Sequence, residues 1–110
     1  MKARIPGAAN GGNMMKKIQQ MQEEMERIQN EVESSSYSAS SGGGAVEATV
    51  NGKHEVLSVK ISPDVVDVED IEMLEDMVIV AVNEAIRKAS EAMEKGLEAA
   101  KGGLSIPGLF

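Results

Sequence analysis

Cysteine is absent from this chain of 110 residues, and aromatic residues make up only 2% of it. The first absence excludes a disulfide framework, thiol chemistry and Cys-ligated metal, and it fits a reducing compartment. The second thins the core, because eight methionines must take over some of the packing. Methionine is flexible and specifies a core weakly. A small domain with such a core gains by oligomerising, since two copies bury surface that one cannot. No apolar run approaches transmembrane length, so no membrane partner is expected. The start, MKARIPGAANGGN, lacks the apolar stretch of a secretory leader. The single histidine, His54, leaves few ways to build a nucleophile–base pair, although a Ser–Lys pair stays formally possible.

Charge of one sign is missing from two stretches. From Met1 to Gln22 there are four bases, Lys2, Arg4, Lys16 and Lys17, and no acid. Between Ile61 and Ile86 there are eight acids and no lysine or arginine, and the rest of the chain holds ten acids against eleven bases. The net charge of -7 therefore comes from one acidic block, and the basic start can attract a polyanion despite it.

What the chain does have is a narrow apolar seam. Met14, Ile18, Met21, Met25, Ile28 and Val32 follow one another at steps of four, three, four, three and four. This is the a/d pattern of a helix that packs along another helix, either the second one of this chain or that of another copy. Asn13 is the expected cap, so the helix is predicted from about Met14 to Val32 or Glu33, after a flexible basic arm at residues 1–12.

Residues 34–44, SSSYSASSGGG, read either as a linker or as a short edge strand over Ser36–Ser40 before a glycine turn. Ala45–Val50 and Glu55–Ile61 alternate as strands, with Val46, Ala48 and Val50 on one face and Leu57, Val59 and Ile61 on the matching face. Asn51-Gly52 between them is a hairpin signal, because both residues tolerate positive φ. The helices are expected to cover the apolar face of an antiparallel sheet and leave the other face wet. Pro63 ends the second strand, and Asp67 is the expected cap of a long second helix, with Glu69, Asp70 and Glu72 in its first turn. Its apolar positions run from Ile71 to about Glu98 and Gly102-Gly103 stops it, which predicts one domain over residues 13–101 and an apolar tail at 102–110.

No catalytic set, Walker loop or dinucleotide fingerprint is present, and neither a cofactor nor a small-molecule substrate is expected. His54 adjoins the hairpin turn, where a solvated side chain is the ordinary state. The acids from Asp64 to Asp76 are interrupted by Val65, Val66, Val68 and Ile71 and contain no glycine turn, so they read as a capped helix start rather than a calcium loop. The remaining candidates are basic: Lys16 and Lys17 on the first helix, and Arg87, Lys88 and Lys95 on the second. Helices that extend beyond a sheet could place these on duplex phosphates. The plainer reading is surface charge, since Arg27, Arg87, Lys88 and Lys95 each have acids three or four residues away.

Several strings resemble the YbaB/EbfC family of small bacterial nucleoid-associated proteins. They are Met14-Met15-Lys16 leading into Gln19-Gln20-Met21-Gln22, Gly43-Gly44 before Val46–Gly52, Val59–Pro63, Glu72–Met77 and Ala81–Ala85, and the terminal Pro107-Gly108. The resemblance spans about residues 13–110. It implies an α+β fold of order α-β-β-β-α, with a three-stranded antiparallel sheet per chain and Ser36–Ser40 as its first strand. It also implies a tweezer-like homodimer, binding to double-stranded DNA with low sequence selectivity, and a cytoplasmic, nucleoid-linked place. Lys16 and Lys17, and next Arg87, Lys88 and Lys95, are the positions it points to for DNA contact. The Ser-rich stretch and the basic arm depart from the family pattern. A second resemblance is to prefoldin-like modules, in which helix tips grip other proteins; the methionine seam and apolar tail would suit that role.

Overall fold

The computed structural model describes residues 6–103, and the side-chain surroundings of residues 12–102. Helix α1 (Pro6–Ser34) leads through β1 (Ser36–Ser41), β2 (Val46–Asn51) and β3 (Val56–Ile61) to helix α2 (Ile71–Gly103). The strands form one antiparallel sheet in the order β1-β2-β3. This is the α-β-β-β-α order expected from the sequence. The Ser-rich stretch is a strand because its alternate residues have somewhere to go: Ala39 is buried, Tyr37 packs against the core, and Ser36, Ser38 and Ser40 face water. On that wet face Ser38 Oγ and Thr49 Oγ1 share a hydrogen bond of 2.7 Å between paired residues.

Alanines decide how α2 meets the sheet. Ala81, Ala85 and Ala89 recur every fourth residue, so they form one stripe of the helix. They are fully buried, at 0% exposure, against Val46, Ala48 and Val50, which are also at 0%. Small side chains bring the helix axis close, and Ser41 Oγ then donates to the Met77 carbonyl at 2.6 Å. A helix about 10 Å wide covers roughly two strands spaced about 4.8 Å apart. It lies over β1 and β2 and leaves β3 uncovered. Val56, Leu57, Val59 and Ile61 are consequently 38–55% exposed. That corrects the expectation that Leu57, Val59 and Ile61 pack under the helices. The register also shifts between Thr49 and Val50, so Val56, not Leu57, comes opposite Val50.

The hairpin is longer than Asn51-Gly52 alone predicts. The Asn51 amide donates to the Glu55 carbonyl at 3.0 Å, and positive φ falls on His54 (φ 68) rather than on Asn51 or Gly52. Asn51 Oδ1 accepts from the amides of Lys53 (2.9 Å) and Glu55 (3.0 Å), which holds this three-residue loop. Gly52 is needed for space: a Cβ there would run into the Val32 carbonyl at the end of α1.

Two helix starts also differ from expectation. Asn13 lies inside α1, which already begins at Pro6, so Pro6–Gly12 continues the helix while residues 1–5 of the expected arm lie outside the described residues. Asp67 closes a local turn by accepting from the Glu69 amide at 2.9 Å, and Asp70 caps α2 by accepting from the Met73 amide at 3.3 Å. Residues 104–110 of the expected tail lie outside the described residues as well.

The two helices run antiparallel beyond the sheet. A Cβ on Gly96 would press within 2.6 Å of Ile28 Cγ2, so this glycine lets α2 approach the seam of α1 closely. Val32 is buried, and Met21, Met25 and Ile28 are half-buried. The outcome is a long molecule with extents of 86 × 23 × 16 Å.

Candidate nucleic-acid interface

Three things can hold a basic side chain: an acid on its own helix, a backbone acceptor, or nothing but solvent. The five candidate residues divide among all three. Arg87 is held by acids. Its Nε donates to Glu84 Oε1 (3.0 Å) and Oε2 (3.1 Å), and its Nη1 donates to Glu91 Oε2 (2.5 Å). The hydrogen bond from Arg87 holds the Glu84 carboxyl below the usual carboxylate range, and the pair of acids raises Arg87 in turn. Arg27 repeats the device on α1, donating to Glu24 Oε2 (3.1 Å) and Glu31 Oε1 (2.9 Å), and its hydrogen bond likewise lowers Glu24. Spacings of three and four residues bring these groups onto one helical face, as the plainer surface-charge reading anticipates for both arginines.

Lys88 is held by backbone. Its Nζ donates to the Ser38 carbonyl at 2.7 Å, on the outer edge of β1. A lysine there blocks the edge against pairing with another strand. Nothing in the spacing of Lys88 signals this, because its partner is 50 residues away in sequence.

Lys16, Lys17 and Lys95 are exposed, and among the described residues every ion pair belongs to Arg27 or Arg87 instead. Lys101, which follows Lys95 in the basic set of the second helix, is exposed in the last turn of α2 and joins them. Counting equal rises from the Ile28–Gly96 contact, the end of α2 at Gly103 comes level with about Met21 of α1. Among the described residues Lys16 and Lys17 therefore stand on a stretch of α1 that extends past α2. Met14, Met15 and Ile18 on the same stretch are 40%, 70% and 39% exposed. The heptad seam thus splits in two: α2 covers its second part, and the first is left open among the described residues.

The stretch that has acids but no bases begins at the other end. Asp70, Glu72 and Asp76 line an open groove with Gly42 and Met77, where α2 begins on the sheet. Among the described residues no group of three or more acids and histidines is placed to hold a metal ion, and no helix is long and apolar enough to cross a membrane. His54 is solvated, as a turn residue should be, and its Nε2 lies 3.0 Å from Ser90 Oγ.

A separated field of this kind, free lysines at one end and acids at the other, agrees with what comparison of the whole chain finds. The model of the YbaB/EbfC DNA-binding family matches residues 7–104. The chain belongs to the YbaB/EbfC family. It is 51% identical over 104 residues to a nucleoid-associated protein of Alkaliphilus metalliredigens, covering 94% of this chain and 91% of that one. It is 48% identical over 109 residues to a nucleoid-associated protein of Thermoanaerobacter pseudethanolicus, covering 99% and 98% of the two chains. The crystal structure of an uncharacterized protein from Helicobacter pylori has the same fold, with a TM-score of 0.58 at 22% identity over 71% of this chain and 90% of that one. YbaB/EbfC is a DNA-binding family rather than an enzyme family.

Proposed function

We propose that this YbaB/EbfC protein is a non-enzymatic, nucleoid-associated DNA-binding protein of the cytoplasm, acting as a homodimer that contacts duplex phosphates with low sequence selectivity. The observation that carries the reading is the pair of exposed lysines, Lys16 and Lys17, which have no ion pair among the described residues and stand on a stretch of α1 that extends past α2, far from the acidic block. Phosphate contacts need free cations that can reach, and these two are so placed. Lys95 and Lys101 on α2 add to the same end. Arg87 and Lys88, pointed to by family resemblance, serve better as an ion-pair clamp and an edge cover. Low selectivity follows from the same division. The planar fork of arginine suits bidentate contact to guanine O6 and N7, but Arg27 and Arg87 are both engaged by carboxylates, and the free bases are lysines, which meet phosphate as point charges.

The dimer is supported by β3, whose outer edge and apolar side chains are left uncovered. A row of unpaired backbone groups beside exposed valine, leucine and isoleucine is a surface that needs a partner, and a second copy supplies the same row. Joining the sheets there leaves both pairs of helices free to reach the DNA.

A titration of a labelled duplex at low and high ionic strength tests the reading. Binding at low salt that weakens as salt rises is expected; no binding at low salt would remove the DNA claim. The open apolar side chains Met14, Met15 and Ile18 favour one competitor, a prefoldin-like helix tip that grips proteins. Suppression of client aggregation without any duplex binding would establish that instead.

A further inference from the structure

The stretch of α1 that runs past α2 carries more than charge. Met14, Met15 and Ile18 form one exposed apolar stripe there, with Lys17 on one flank and Lys16 on the other. Gln19, also exposed, follows Met15 by one helical turn. We infer that this tip lies in the major groove and reads A·T pairs, Met15 against the thymine methyl and Gln19 on the adenine edge.

This inference rests on the proposed DNA binding and adds a specificity to it. A lone helix, about 10–12 Å across, fits a major groove about 12 Å wide. In that groove thymine alone presents a methyl group, and adenine presents the N6 donor and N7 acceptor that a glutamine amide pairs with. Guanine O6 and N7 would call for an arginine or a lysine within the stripe, and it has neither: Lys16 and Lys17 stand on its flanks, and Arg27 lies further along α1, held by Glu24 and Glu31. The lysines on both flanks reach outward to the phosphate rows that border the groove. Charge also selects the occupant. A second copy of the tip would bring lysines against lysines, whereas a polyanion meets them on both sides.

The test compares duplexes of one length: A·T-rich, the same with every thymine replaced by uracil, and G·C-rich. Uracil removes only the methyl group. The A·T-rich duplex is expected to bind tightest, and the uracil duplex about fourfold weaker for each methyl contacted. Met15→Ala should abolish the thymine–uracil difference and leave the salt dependence unchanged. Gln19→Ala should shrink the preference over G·C while keeping the thymine–uracil difference. Equal binding of all three duplexes by the unaltered protein would overturn the inference and leave the DNA reading intact, as would a thymine–uracil difference that survives Met15→Ala. Absence of binding to any duplex at low salt would instead remove the DNA reading beneath it. Tight binding to anionic phospholipid vesicles, lost in Met15→Ala, with no discrimination among duplexes would assign the stripe to a membrane surface and overturn the inference too.

Discussion

Single residues in this protein are set more by what lies beside them than by their own chemistry. Glu84 and Glu24 are ordinary exposed acids except that an arginine hydrogen bond holds each below its usual range. A carboxyl lowered by folding adds stability that is present above its unfolded pKa and lost as pH falls through the folded value. Both clamps should therefore open only on acidification below the normal glutamate range. Carboxyl-detected NMR should show Glu24 and Glu84 titrating below the usual glutamate range, and Arg87→Gln should move Glu84 back up without moving Glu24. Two of the three tight glycines make a second contrast. At Gly42 (φ +61) a Cβ would meet Met77 Sδ at 2.5 Å, the flexible part of a side chain. At Gly52 it would meet fixed backbone, the Val32 carbonyl. Gly52→Ala is expected to lower stability by about 1–3 kcal/mol, because the hairpin and α1 must part. Gly42→Ala should be disturbed through its positive φ, by about 1–2 kcal/mol. Urea unfolding at one fixed protein concentration measures both, and a neutral Gly52→Ala would contradict the close approach described above.

At the scale of elements, β3 carries the heaviest prediction. It is the strand that α2 does not reach, and it keeps Val59 at 38% and Ile61 at 39% exposure. Lysine on an edge strand discourages pairing. Val59→Lys with Ile61→Lys should give a folded monomer by sedimentation while the unaltered protein sediments as a dimer; an unchanged dimer would place the interface elsewhere.

Much of this level was legible in the sequence. Alternation in β2 was plain because Val46, Ala48 and Val50 all meet one helix face, and the heptad seam was plain because α2 follows α1 from Met21 to Val32. Periodicity records which face is apolar, but it does not record how far a covering helix reaches, so the exposure of β3 could not be read from alternation. The loop length after β2 was missed because Asn51 uses its side chain to bind two amides, an option that the Asn-Gly pair does not advertise. Asp67 and Asp70 are both good caps, and only the hydrogen bond to Met73 tells them apart. Of the basic candidates, the clamp on Arg87 was readable from Glu84 and Glu91, whereas the contact of Lys88 with β1 depends on the whole fold.

Over the whole molecule the arrangement is a separation of charge along an 86 Å body. The acidic block around Asp70, Glu72 and Asp76 lies where α2 starts on the sheet, and Lys16 and Lys17 lie where α1 runs beyond it. A net charge of -7 then need not repel a duplex, because the acidic block that carries it stands farther from Lys16 and Lys17 than the Debye length of about 10 Å at 0.1 M salt. The central claim is that the open lysines of α1, and not the clamped or covered bases, hold the phosphates. It is tested most directly by the slope of log affinity against log salt for a duplex, compared among variants. Each lost phosphate contact should flatten that slope by about 0.9. Lys16→Gln with Lys17→Gln should flatten it by that amount for every lysine removed from the contact, while Arg87→Gln and Lys88→Gln leave it where it is. A slope unmoved by the first pair and flattened by the second would contradict the account.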